Sequence, residues 1–91
     1  MVNDQDYVAI FHSIHRVLHA EQLLKQHQAA FLLIPVPRKL TSDCGLALRI
    51  APEHLPAVHG VLAEAGLLPA ELYQLRGGEY VAIAVATAGT A

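Results

Sequence analysis

The sequence predicts a single α+β domain of the ferredoxin-like kind, a βαββαβ sandwich with one additional C-terminal β-strand. Three observations lead to this prediction. First, 91 residues make one domain, and 54% hydrophobic with 15% charged residues is typical of a packed core. Second, short apolar runs and helical patterns follow one another in the order β-α-β-β-α-β. Third, the adjacent glycines Gly77 and Gly78 suit a two-residue hairpin turn to one further strand.

Seven elements follow from the residue patterns. In chain order they are a strand at 7–11, a helix at 14–28, strands at 31–34 and 46–50, a helix from about 53 to 66, and strands at 71–75 and 80–85. Ser13 can cap the first helix through its hydroxyl group. Pro35 and Pro37 are expected to end the second strand, because proline has no backbone N–H to donate. Pro52 fits the first turn of the second helix, and Gly66 fits its end.

The two chain ends lie outside this framework. Residues 1–6 are polar and acidic, and residues 86–91 are small and without a clear pattern. We therefore expect a flexible N-terminus at 1–6, a single domain at 7–85 and a flexible tail at 86–91.

Composition argues against nucleic acid and membranes as partners. A net charge of −2 gives no basic surface for nucleic acid, and no run approaches the length of a membrane span. The acidic N-terminus does not resemble a signal peptide, and a single cysteine fits a reducing compartment, so a cytoplasmic location is predicted. No glycine-rich phosphate loop or other cofactor motif occurs, and no cofactor is expected.

The predicted topology brings the only cysteine, Cys44, to the start of the first helix. The third strand is expected between the first and the second, so the loop that carries Cys44 lies at the same end as Ser13 and His15. The free N–H groups and the dipole of a helix N-terminus favour a thiolate over a thiol.

Three further residues bear on this thiol. Gly45 leaves room for another molecule to approach the backbone, and Arg38 could add positive charge. Asp43 acts in the opposite direction, because a neighbouring carboxylate disfavours a second negative charge. The sequence does not decide which influence is larger.

Three stretches together resemble a known family. They are Phe-His-Ser-Ile-His at 11–15, Pro-Val-Pro-Arg at 35–38, and Ser-Asp-Cys-Gly-Leu-Ala-Leu-Arg at 42–49. They are similar to the patterns of a small bacterial family of selenium/sulfur (Se/S) carrier protein-like domains, over roughly residues 7–75. Ile14 and Asp43 depart from the family pattern, in which a threonine and a small hydroxyl residue are expected.

The resemblance implies a carrier of sulfur or selenium. Cys44 would hold the atom as a persulfide or perselenide, with His15 as the family histidine near it and with Ser13, Arg38 and Gly45 as binding residues. The implied partners are a donor such as a cysteine desulfurase and an acceptor protein. A carrier or binding protein is expected here rather than an enzyme that turns over a substrate.

Two other functions stay open. Cys44, His15, His12 and His19 have the residue types of a zinc or copper(I) site, although exposed histidines on a helix are common. The chain could also be a non-catalytic interaction or regulatory domain, since one fold serves many functions. The apolar segment 80–85 is a candidate surface for a homodimer, and a homodimer is compatible with all three functions.

Overall fold

The structure is a computed structural model that describes residues 2–87 as an α+β domain with a five-stranded antiparallel sheet and two helices. The strands are β1 (Tyr7–Ile10), β2 (Leu32–Pro35), β3 (Leu46–Ile50), β4 (Glu71–Arg76) and β5 (Glu79–Ile83), and the helices are α1 (Ile14–Gln26) and α2 (Leu55–Glu64). Short 3-10 turns occupy Pro52–His54 and Val85–Thr87.

The strands lie in the order β2-β3-β1-β4-β5. β3 is antiparallel to both β1 and β2 and lies between them, as the sequence predicts. β4 pairs with the other side of β1, and β5 follows it through the glycine hairpin. This order and the βαββαβ succession are consistent with a ferredoxin-like fold that carries one added edge strand.

The two faces of the sheet are packed differently, because alternate residues of a strand point to opposite sides. The helix-side cluster contains Ala9, Phe11, Val17, Ala20, Leu24, Leu48, Ile50, Leu55, Val58, Leu62, Leu67 and Leu72. The open-face cluster, on the face without helices, contains Val8, Ile10, Ile34 and Ala47. The larger core therefore lies between the sheet and the two helices.

The loop between β2 and β3 folds back over the open face. Val36 and Leu40 of this loop pack against the open-face cluster, together with Tyr80 of β5. The Lys39 Nζ donates a hydrogen bond of 2.8 Å to the Gly78 carbonyl in the β4–β5 turn. The loop thus spans from the β2 edge towards the opposite edge of the sheet.

Several element ends differ from the sequence predictions for local reasons. β2 runs from residue 32 to residue 35 rather than from 31 to 34, and its last residue, Pro35, pairs with Leu46, because an edge strand tolerates a residue without an N–H. β1 ends at Ile10 rather than Phe11, since the chain turns at His12 with φ of +57°. α1 ends at Gln26, and the left-handed Gln28 follows it.

The second helix and the last strand are also shorter than predicted. Residues 52–54 form a 3-10 turn, so the regular helix begins at Leu55 rather than near Glu53. β5 ends at Ile83, because the chain then forms a 3-10 turn in which the Val85 carbonyl bonds to His59.

The N-terminal segment makes contacts with the sheet. Gln5 donates its backbone N–H to the Leu75 carbonyl, and Asp6 is buried and forms an ion pair with Arg49. The predicted mobility of residues 1–6 stays a prediction. Of the predicted tail 86–91, residues 88–91 lie outside the described part of the chain.

Neither α1 nor α2 combines the length and the apolar character that crossing a membrane requires.

Candidate functional site

Cys44 lies where the β2–β3 loop enters β3. Its side chain is half-buried and packs against the helix-side cluster. Gly45 has φ of +75°, a left-handed conformation that glycine adopts without strain, and its carbonyl accepts a 3.0 Å hydrogen bond from Val36 N. The end of the loop is therefore held against β2, and the sulfur faces the helix layer.

A short polar turn holds the Cys44 thiol. The Cys44 backbone N–H donates to the Ser42 Oγ at 3.4 Å, and the Ser42 Oγ lies 3.5 Å from the Cys44 Sγ. The thiol also donates to the Leu46 carbonyl at 3.2 Å. A thiolate has no proton to give to that carbonyl, but it can accept a hydrogen bond from the Ser42 hydroxyl.

Ser42 was not among the site residues predicted from the sequence. It is nevertheless the side chain that shares a hydrogen bond with the sulfur. The available signal was its position two residues before Cys44, since serine hydroxyls commonly bond to the backbone two residues further on.

The residues predicted to surround the thiol have other roles or are exposed. Ser13 caps α1, accepting a 3.3 Å hydrogen bond from Arg16 N, and His15 is exposed in the first turn of that helix. Arg38 is exposed in the β2–β3 loop. Within residues 2–87, the hydrogen bonds of Cys44 go to Ser42 and Leu46 and not to any of these three side chains.

His12 belongs to a different group of side chains. Its Nε2 lies 2.5 Å from Glu71 Oε2, and Tyr73 donates its hydroxyl to Glu71 Oε1 at 2.6 Å. Tyr73 and, to a smaller extent, His12 lower the pKa of the Glu71 carboxyl below its ordinary value of 4.5. The bond to Glu71 raises the pKa of Tyr73 above 10.0.

The alternative metal site gains no support from this arrangement. Among residues 2–87, no three or more His, Cys, Asp or Glu side chains are grouped so that they could hold a metal ion. His12 is engaged by Glu71, while His15 and His19 are exposed on α1.

A groove of about 560 Å³ lies on the helix layer. Leu23 of α1 and His27, just after that helix, line one side of it, and Pro56, Gly60 and Glu64 of α2 line the other. None of the residues around Cys44 contributes to it, so the groove and the thiol are separate features.

Comparison with known proteins gives one match. The family model described as "Putative Se/S carrier protein-like" matches residues 6–74, which is most of the chain. No curated protein and no solved structure matches the chain significantly. The matched range includes β1 to β3, both helices and the Cys44 turn. The chain therefore belongs to the Se/S carrier protein-like family.

Proposed function

We propose that this chain carries a sulfur or selenium atom on Cys44 and passes it from a donor protein to an acceptor. The observation that carries the proposal is the setting of the chain's only thiol, half-buried in a turn where a serine hydroxyl reaches the sulfur. The family description supports the same chemistry. A reducing compartment suits it, because thiols stay free there.

The transfer is an exchange at sulfur without net oxidation. The Cys44 thiolate attacks the outer sulfur of a donor persulfide, R–S–SH, forming a new S–S bond as the donor's S–S bond breaks. The donor leaves as R–S⁻, and Cys44 becomes Cys–S–SH. An acceptor nucleophile then attacks the outer sulfur and releases the Cys44 thiolate. A perselenide follows the same steps with selenium as the outer atom.

Ser42 assists the first step in this proposal. Deprotonation of Cys44 removes the bond to the Leu46 carbonyl, whose oxygen would then face a negative charge. Rotation of the Ser42 hydroxyl towards the sulfur supplies a charge-assisted hydrogen bond in its place. The turn would therefore hold both the resting thiol and the reactive thiolate.

The other predicted residues have supporting roles. Ser13 keeps the start of α1 ordered through its cap, and Gly45 permits the left-handed turn beside the sulfur. The exposed side chains of His15 and Arg38 are proposed to meet the donor or acceptor protein, where the positive charge of Arg38 would attract a persulfide anion.

Intact-mass measurement tests the proposal. The reduced chain is incubated under anaerobic conditions with an active cysteine desulfurase and cysteine. We expect a gain of about 32 Da, the mass of one sulfur atom, that a reducing agent removes. Cys44→Ser should gain nothing. An unchanged mass, with the desulfurase shown to load another thiol protein in the same experiment, would leave Cys44 as a packing residue of a binding domain.

A further inference from the structure

Within residues 2–87, no strand pairs with the outer edge of β5. The Leu75 N–H donates to the Asp6 carbonyl and the Leu75 carbonyl accepts from Gln5 N, so the backbone of Leu75 bonds towards β1. Hydrogen-bonding direction alternates along an antiparallel strand, so the residues on either side of Leu75 bond towards β5. Within the register of the β4–β5 pair, the backbone groups of Tyr80 and Ala82 therefore point away from the sheet.

This edge has fewer of the features that usually prevent strands from pairing than the opposite edge of the sheet. Among the described residues the sheet ends at β5, and Glu79 is the only charged residue of that strand. Proteins commonly protect edge strands with proline, charged side chains or short length. The opposite edge has such protection, since β2 is four residues long, with Pro35 as its last residue and Pro37 two residues beyond.

We propose that two copies of this chain pair through β5, antiparallel and around a two-fold axis at Val81. In this register Tyr80 exchanges backbone hydrogen bonds with Ala82 of the partner subunit, and Ala82 does so with Tyr80 of the partner subunit. All the outward groups of these residues are then satisfied by about four bonds. The strand is thus complementary to itself in this register, and this supports a second copy of the chain as the occupant of the edge.

The charges are compatible with this register. Glu79 lies opposite Ile83 of the partner subunit, and the two glutamates are roughly 13 Å apart along the strands. Val81 lies opposite Val81 of the partner subunit, a cross-strand pair of β-branched side chains that packs well. No like charges face each other directly across the axis.

The dimer is closed and keeps the two thiols far apart. A two-fold interface uses the same edge in both copies, and the proline-containing β2 edge does not extend the sheet. Seven strand spacings separate the two β3 strands in the order given by the sheet, which corresponds to roughly 34 Å. The two Cys44 residues therefore cannot form a disulfide with each other inside the dimer.

Light scattering after size exclusion tests the pairing. The native chain should have twice the chain mass of 9.8 kDa. Ala82→Pro removes an outward N–H and no bond to β4, and the symmetric loss of two hydrogen bonds should raise the dimer Kd about 30-fold. Leu32→Lys, an exposed substitution on the β2 edge, is the control and should leave the dimer intact.

Disulfide trapping tests the register independently of stability. Val81→Cys in a Cys44→Ser background should oxidise readily to a covalent dimer, because residues on the axis are close enough for an S–S bond. Leu32→Cys in the same background should stay monomeric on a denaturing gel. A native chain that is monomeric, a dimer unaffected by Ala82→Pro, or equal trapping at both positions would overturn the proposal.

Discussion

At the scale of single residues, the proposed chemistry at Cys44 should depend on the Ser42 hydroxyl. The hydroxyl is the side-chain group within hydrogen-bond distance of the sulfur, and it can stabilise a thiolate that the Leu46 carbonyl cannot. Hydrogen bonds to charged groups contribute about 1.5–3 kcal/mol, so Ser42→Ala should slow alkylation of Cys44 by iodoacetamide near neutral pH by about tenfold or more. The rate is measured by intact mass.

Thr41→Ala is the matched control for Ser42→Ala. Thr41 also carries a hydroxyl in the β2–β3 loop, but it is exposed and has no hydrogen bond to the thiol. Its removal should leave the alkylation rate unchanged. Equal slowing in both variants would mean that the loop as a whole, rather than the Ser42 hydroxyl, determines the reactivity.

Single residues were only partly predictable from the sequence. Cys44 and Gly45 are recognisable because a lone cysteine and a glycine stand together in a polar loop. The bond between His12 and Glu71 is not recognisable, since 59 residues separate them and only the pairing of β1 with β4 brings them together. The expected roles of Ser13, His15 and Arg38 stay predictions.

At the scale of elements, the group of His12, Glu71 and Tyr73 ties the corner between β1 and α1 to the start of β4. The folded state lowers the pKa of Glu71, so its contribution to stability is present above the ordinary value of 4.5 and is lost as the pH falls through the lower folded value. Glu71→Gln should therefore lower the urea midpoint at neutral pH, and the difference should shrink as the pH falls below 4.5 and through the lower folded value.

Tyr73→Phe distinguishes the effect of Tyr73 on the pKa of Glu71 from the effect of His12. Tyr73→Phe removes the largest cause of the shift and leaves His12 in place, so its pH dependence should lie between those of the native chain and Glu71→Gln. If the native chain and Glu71→Gln lose stability in parallel on acidification, other carboxyl groups account for the acid sensitivity.

Element types followed from the sequence more reliably than element ends. Apolar runs and helical spacing identify the two helices and five strands because burial requires that periodicity. The ends of an element also depend on its neighbours in the fold, and the residue pattern of the element itself does not contain that information. Pro35 can belong to β2 only because β2 lies at an edge, and the turn at Val85 forms against His59 of α2.

At the scale of the whole molecule, the two cores should differ in their contribution to stability. The helix-side cluster has twelve buried residues and the open-face cluster has four. Leu24 is fully buried in the larger one, so Leu24→Ala should reduce the free energy of unfolding by about 2–5 kcal/mol. Urea denaturation followed by circular dichroism measures the change.

Leu18→Ala provides the comparison on the same helix. Leu18 is 40% exposed, and its truncation should cost less than about 1 kcal/mol. A chain of 91 residues buries a small core and has a limited free energy of unfolding, so Leu24→Ala is best measured at low temperature. Similar losses for both leucines would mean that helix propensity rather than burial dominates.

The sheet order was the most predictable property of the whole chain. A succession of β-α-β-β-α-β elements with right-handed crossovers leaves few ways to arrange the strands, and β3 lies where that rule places it. The covering of the open face by the β2–β3 loop was not predictable. It depends on the packing of Leu40 against the open-face cluster and on the hydrogen bond from Lys39 to the Gly78 carbonyl across the sheet.

That loop also limits the shape of any molecule that exchanges an atom with Cys44. Its Leu40 contacts one face of the sheet and its Cys44 contacts the other, so the loop wraps around the end of the sheet. A flat protein surface would touch the outer side of this loop before it reached a half-buried sulfur. The nucleophile of an acceptor would have to project from its surface, on a mobile loop or a chain terminus.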